Sequence, residues 1–86
     1  MTPRESTARL HSLVSELRDA GQGTALRDAV GRALRGEDCA LILRALREDP
    51  EYSFVIYEVP RDVCSKPREM LAWLLERLVL ELSEED

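Results

Sequence analysis

The side chains that could do chemistry are few and are spread along the chain. There is one histidine, His11, and there are two cysteines, Cys39 and Cys64. A metal site needs several converging ligands, and a nucleophilic cysteine needs a neighbouring histidine and a third group that orients it. Cys39 stands at the expected start of a helix, where the N-terminal field can lower the pKa of a thiol. A cysteine at the margin of an apolar helix face usually belongs to the core, and we expect His11 to be an ordinary boundary residue.

Adjacent acids are the second candidate for chemistry, because two carboxyl groups can act as a general acid and a general base. Examples are Glu37 with Asp38 and Glu48 with Asp49, and both of these pairs stand at expected helix ends. Carboxylates there usually cap helices or face solvent. The chain also contains no CxxC, HExxH or glycine-rich phosphate loop. We therefore expect no catalytic residue, metal ligand, cofactor or small-molecule substrate, and we predict that the protein is not an enzyme.

The charge balance restricts the expected partners. The chain has 86 residues, with 12 basic and 17 acidic side chains and a net charge of −5. Residues 1–47 carry eight arginines and six acids, whereas residues 48–86 carry four basic residues and 11 acids, so the two parts sum to +2 and −7. Because binding to a nucleic-acid backbone needs clustered positive charge, this acidity argues against nucleic acid.

Location is predicted from apolar runs and cysteine usage. No run is long enough for a signal peptide or a membrane span. Two cysteines are too few for a disulfide scaffold, although Cys39 and Cys64 would meet if their connectors were adjacent. We therefore expect a cytoplasmic protein with no membrane partner.

One apolar segment near the end of the chain is expected to be the helix on which the other elements pack. Between Met70 and Leu82, ten of thirteen residues are apolar. At about 100° per residue, Trp73 and Leu80 lie together on one side of a helix, flanked by Glu76 and Arg77. Two apolar sides predict either the central helix of a bundle or a helix that also contacts a partner. The nearly opposite side carries the leucines expected in the core: Leu71, Leu74, Leu75, Leu78 and Leu82.

Three amphipathic helices are predicted before this segment. Thr2 and Glu5 form a capping box at the start of the first. Thr24 and Asp38 are the N-cap candidates of the second and third. Gly31 lies on the outer side of the second helix, where glycine costs roughly 1 kcal/mol relative to alanine.

Residues 51–59, with the sequence EYSFVIYEV, allow two interpretations. The crowded β-branched and aromatic residues favour a strand. Asp49 as an N-cap and Pro50 at the first helical position favour a helix. A strand would have no partner within the chain and would have to pair across a dimer or with another protein. A short helix is the preferred prediction, and a strand is the alternative.

The fold class that follows is all-α. We predict a single domain, residues 1–86, folded as a compact bundle of four to five short helices. Ser65 is the expected N-cap of the last helix, with Pro67 in its first turn. The acidic tail, residues 83–86, is expected to fray because acids oppose the dipole at a helix C-terminus.

The predicted function rests on large side chains that could form an interface. Trp, Tyr and Arg are the residues that most often anchor protein contacts. We predict a small protein–protein interaction module that binds another protein or a second copy of itself. The alternative for Trp73 and Leu80 is that both belong to the core. The candidate partner-binding residues are Trp73, Leu80, Arg77, Tyr52 and Tyr57.

Two other functions stay open from the sequence. The uneven charge would suit an adaptor that assembles head to tail with copies of itself. The outer faces of the second and third helices carry arginines that would suit a nucleic-acid-related regulator, and an acidic protein could instead mimic nucleic acid. These arginines are Arg27, Arg32, Arg35, Arg44 and Arg47.

Overall fold

The computed structural model describes residues 2–63 and 66–85 of the chain. This part contains four α-helices: α1 (Pro3–Arg18), α2 (Thr24–Ala33), α3 (Cys39–Glu48) and α4 (Pro67–Glu85). Between α3 and α4 lie a 3₁₀ helix, Ser53–Glu58, and a 3₁₀ turn, Arg61–Val63. Since no strand occurs among the described residues, the predicted all-α bundle is confirmed. None of the helices in this part is long and apolar enough to cross a membrane.

The starts of α1 and α3 follow the predicted caps. The Thr2 hydroxyl accepts a hydrogen bond from the Glu5 N–H at 3.1 Å, and the Glu5 carboxylate accepts one from the Thr2 N–H at 3.4 Å. The Asp38 carboxylate accepts from the Leu41 N–H at 3.3 Å. Each bond satisfies a backbone donor that has no partner within its helix.

The start of α2 differs from the prediction. Gly23, with a φ of +62°, occupies the N-cap position, and no side chain caps the helix there. Thr24, the predicted cap, is the first helical residue. A positive φ favours glycine, so the backbone of the turn determines where α2 begins, and not the threonine hydroxyl.

Helix α4 is the centre of the bundle. It contacts α1, α2, α3 and both 3₁₀ elements. Leu71, Leu74, Leu75 and Leu78 are fully buried, as the leucine pattern predicts, whereas Leu82 is only half-buried. The other three helices and their ends pack fully buried side chains around this leucine side: Leu10, Leu13, Val14, Leu17, Leu26, Leu34, Ile42 and Leu46.

Residues 51–59 contain the 3₁₀ helix Ser53–Glu58 and no strand, so the strand alternative is wrong. The Asp49 carboxylate accepts hydrogen bonds from the Glu51 and Tyr52 N–H groups at 2.8 and 3.0 Å, which turns the chain directly after α3. Tyr52 and Val55 then pack into the core, and Ser53–Glu58 contacts α3 and α4. Burial on one side and capping by Asp49 outweigh the strand propensity of the segment.

The last helix begins at Pro67, which therefore lies in its first turn as predicted, and continues to Glu85. Ser83 and Glu84, which belong to the predicted frayed tail, are helical. Ser83 is half-buried and borders a groove beside α1, so packing supports this last turn. The predicted cap Ser65 lies outside the described residues.

Gly31→Ala is expected to raise the free energy of unfolding by roughly 0.5–1 kcal/mol, because alanine loses less backbone entropy in a helix. Gly31 lies within α2, and an added Cβ would meet no atom within 4 Å. Urea unfolding measures the change. Gly36→Ala is the control, and it should destabilise because Gly36 has a φ of +78°. A less stable Gly31→Ala variant would contradict the open position of this residue.

Candidate interaction surface

Two aromatic side chains of the 3₁₀ helix face solvent. Tyr57 is 92% exposed and Phe54 is 43% exposed, and among the described residues these are the exposed large hydrophobic side chains. A 3₁₀ helix has three residues per turn, so residues three apart share one side. Phe54 and Tyr57 therefore form an outward row, while Val55 is fully buried.

The end of the 3₁₀ helix reaches the side of α4 that carries Trp73 and Leu80. Trp73 and Leu80 are half-buried against the edge of the core, with Arg77 between them on the same side. The Arg77 Nε lies 3.4 Å from the Glu58 Oε1, and Glu58 directly follows Tyr57. This ion pair brings the end of the 3₁₀ helix to this side of α4. We call the combined region the contact surface and define it as Phe54, Tyr57, Trp73, Arg77 and Leu80.

Glu81 borders the contact surface and is in an unusual environment. Its Oε1 accepts from the Arg77 Nη2 at 3.3 Å. Its Oε2 is sheltered from solvent and has no hydrogen-bond partner among the described residues. Burial raises the pKa of Glu81, and the neighbouring Glu58 carboxyl raises it further, while Arg77 acts to lower it. One guanidinium therefore serves two carboxylates.

The raised pKa of Glu81 predicts that stability increases on mild acidification. Its folded-state pKa lies above 4.5, so its stabilising contribution is fully present below pH 4.5 and is lost as pH rises through the folded-state pKa. The wild-type protein should therefore gain stability between neutral pH and pH 4.5 relative to a Glu81→Gln variant. Thermal unfolding of both proteins over this range tests the prediction. Parallel pH profiles would show that Glu81 titrates normally.

Tyr52 lies apart from Tyr57, although the sequence grouped both as partner-binding candidates. Tyr52 is 9% exposed, and its ring centroid is 4.8 Å from that of His11. Burial raises the pKa of its hydroxyl, and the charges of Glu51 and Asp49 add to the effect. Tyr52 borders a groove of about 560 Å³ between α1 and the end of α4. Its side chain thus packs in the core and also lines part of this groove.

His11 is part of a polar cluster that the sequence did not reveal. Its Nε2 lies 2.7 Å from the Asp49 Oδ2, and its Nδ1 lies 4.0 Å from the Glu51 Oε2. The three side chains could offer metal-ligand atoms within 4.8 Å of one another. Both Asp49 oxygens already have partners, since Oδ1 accepts two backbone N–H groups and Oδ2 faces His11. The cluster therefore links α1 to the segment that follows α3.

Cys39 has the environment of a packed thiol. It is half-buried, and its Sγ donates to the Glu37 carbonyl at 3.8 Å. Burial raises the pKa of this thiol, Glu37 and Asp38 raise it further, and Arg68 acts to lower it. The sequence had allowed a lowered pKa at this helix start, and that possibility is wrong. The suggested pairing with Cys64 lies outside the described residues.

The four candidate acid–base residues have structural contacts. Glu37 pairs with Arg9 at 2.6 Å, and Asp38 caps α3. Glu48 lies 3.7 Å from the Arg44 Nε, one helical turn away, and Asp49 accepts a hydrogen bond from the Tyr52 N–H of the following segment. These contacts agree with the expectation that acids at helix ends act as caps or in ion pairs.

Two of the five arginines considered for nucleic acid lie beside acids. Arg27 lies 3.3 Å from Glu76 of α4, and Arg44 pairs with Glu48. Arg32 and Arg35 are exposed near the end of α2. Acids thus offset two of the five positive charges.

Comparison with known proteins gives no family assignment. No protein family matches the chain, no curated protein is similar to it at a significant level, and no solved structure matches its fold at a significant level.

Proposed function

We propose that this chain is a protein-binding module that acts through the contact surface. The observation that carries the proposal is the exposure of Tyr57, at 92%, since Phe54 is the other exposed large hydrophobic side chain among the described residues. Tyrosine and tryptophan are enriched at interfaces because they offer a large apolar area and a polar atom on a stiff side chain. A partner that covers Tyr57 removes this area from water.

The surroundings of Tyr57 support the same function. Trp73 and Leu80 are half-buried, so each leaves part of its apolar surface accessible while the rest of the side chain packs against the core. Arg77 is held by Glu58 and Glu81, which limits its rotamer entropy before any partner binds. Tryptophan, tyrosine and arginine are the residues that most often contribute strongly to binding at interfaces. The proposed mechanism is contact alone, without a catalytic step or a cofactor, and a cytoplasmic location stays a prediction.

A comparative affinity capture from the native host tests the proposal. Tagged wild-type protein is compared with Tyr57→Ala and with the control Arg32→Ala. Arg32 is exposed on α2, and no contact between α2 and the 3₁₀ helix occurs among the described residues. We expect a captured protein that is retained by wild type and Arg32→Ala and lost by Tyr57→Ala. If every captured protein binds all three baits equally, the contact surface is not the binding site.

Head-to-tail assembly is the second candidate, favoured by the exposed Arg32 of α2, by the exposed Arg35 just after this helix, and by the acidic residues 48–86. Opposite charges on two ends of one molecule favour heterologous contacts between copies. Sedimentation at low and high salt tests this candidate. A monomer at low salt and high protein concentration would remove it.

A further inference from the structure

The contact surface has an excess of negative charge at one edge. Glu58 lies directly after Tyr57, and Glu81 lies one helical turn after Arg77. The Arg77 guanidinium is shared between them, at 3.4 Å from Glu58 and 3.3 Å from Glu81. When both carboxylates are ionised, one negative charge is left without a partner.

One oxygen of the Glu81 carboxylate also lacks a hydrogen-bond donor. Its Oε2 is sheltered, and no donor among the described residues reaches it. The Glu58 carboxyl is near enough to raise the pKa of Glu81, but two ionised carboxylates cannot bond to each other without a proton. A positive charge placed against the accessible edges of Glu58 and Glu81 would offset the negative charge that Arg77 leaves unpaired. Lysine and arginine are the side chains that provide it.

We propose that the partner places a lysine or arginine at Glu58 and Glu81 while an apolar side chain beside it covers Tyr57. This inference rests on the proposed contact surface and adds the chemistry of the occupant, a basic amphipathic segment of another protein. Glu84, three residues after Glu81, adds a further acid beyond this edge. The net charge of −7 on residues 48–86 favours the approach of such a segment.

A random-peptide phage selection against the purified protein tests the inference without knowledge of the natural partner. We expect enriched peptides with a lysine or arginine close to a bulky apolar residue. Their affinity should fall roughly tenfold or more in the double variant Glu58→Gln, Glu81→Gln, which removes both charges and keeps the side-chain shapes. It should also fall with added salt more steeply for wild type than for the variant.

The matched control is Glu16→Gln with Asp28→Asn. It makes the same change in net charge on α1 and α2, and these two helices make no contact with the 3₁₀ helix among the described residues. Peptide affinity should fall only slightly in the control, because a less acidic protein attracts a basic peptide less strongly at long range. Equal losses in the control and in the Glu58, Glu81 variant would overturn the inference, because the attraction would then be non-specific.

Tyr57→Ala separates this inference from the proposed function. One outcome overturns the inference and leaves the proposed function standing. In that outcome the peptides lose binding to Tyr57→Ala, but they carry no enriched cation or bind the Glu58→Gln, Glu81→Gln variant normally. Peptides that bind Tyr57→Ala normally overturn both. Self-association that depends on Tyr57, measured by sedimentation, would make a second copy the occupant and would also overturn the inference.

Discussion

Replacing Asp49 with alanine is expected to lower the free energy of unfolding by about 2–4 kcal/mol, the cost of leaving buried donors and a histidine partner without their acceptor. The Asp49 side chain is 3% exposed. It accepts from the Glu51 and Tyr52 N–H groups at 2.8 and 3.0 Å and lies 2.7 Å from His11. Urea unfolding of the variant and the wild type measures the loss.

Asp49→Asn is the matched variant. Its amide oxygen can still accept from the backbone N–H groups, so it should lose less stability than Asp49→Ala. Asp38→Ala removes an exposed helix cap and should cost about 1 kcal/mol. If Asp49→Ala loses no more stability than Asp38→Ala, the proposed stabilising link between α1 and the segment after α3 is contradicted.

The stability due to Asp49 should depend on pH. Burial acts to raise the pKa of this carboxyl, but the hydrogen bonds from His11, Glu51 and Tyr52 outweigh it and lower the pKa below 3.8. The stabilisation is therefore present above pH 3.8 and is lost as pH falls through the folded-state pKa. The gap in stability between wild type and Asp49→Ala should accordingly close in acid.

Tyr57→Ala is expected to weaken partner binding by at least about tenfold, since aromatic anchors at interface centres contribute well over 1 kcal/mol. Its free energy of unfolding should stay within about 0.5 kcal/mol of wild type, because the side chain is 92% exposed. Titration calorimetry with the captured protein or a selected peptide gives the first quantity, and urea unfolding gives the second. A large loss of stability would show that Tyr57 supports the fold.

The double variant Trp73→Ala, Leu80→Ala examines the α4 part of the contact surface. Both side chains are half-buried, so some stability will be lost along with binding. Circular dichroism should still show the helical content of the wild type. Complete unfolding of the variant would place Trp73 and Leu80 in the core instead.

The parts of the fold that depend on local pattern could be predicted from the sequence. The capping box of Thr2 and Glu5 and the cap at Asp38 involve residues three apart, which sequence spacing reveals directly. The leucine side of α4 repeats at helical spacing and is buried, as expected. Leu82 has the same helical spacing but is only half-buried.

Contacts between distant residues could not be predicted. His11 and Asp49 are 38 residues apart in the chain, and neither has a neighbour whose type indicates the other. Their pairing results from the packing of α1 against α3. Glu81 is similar, since its i,i+4 relation to Arg77 is visible in the sequence but the arrival of Glu58 is not.

The helix type decided which aromatic residues share a side. The sequence grouped Tyr52 with Tyr57, but their places depend on the number of residues per turn. With three residues per turn, Phe54 and Tyr57 form one outward row and Tyr52 and Val55 form an inward one. Composition and spacing alone do not distinguish a 3₁₀ helix from an α-helix over so short a segment.

An NMR titration of the labelled protein with its captured partner or a selected peptide tests the location of the contact surface most directly. The chain has one tryptophan, so the indole N–H of Trp73 gives a single signal. We predict the largest changes at this signal and at the amides of residues 54–58. Changes centred on the groove beside His11 and Tyr52, or on the arginines of α2 and α3, would contradict the account.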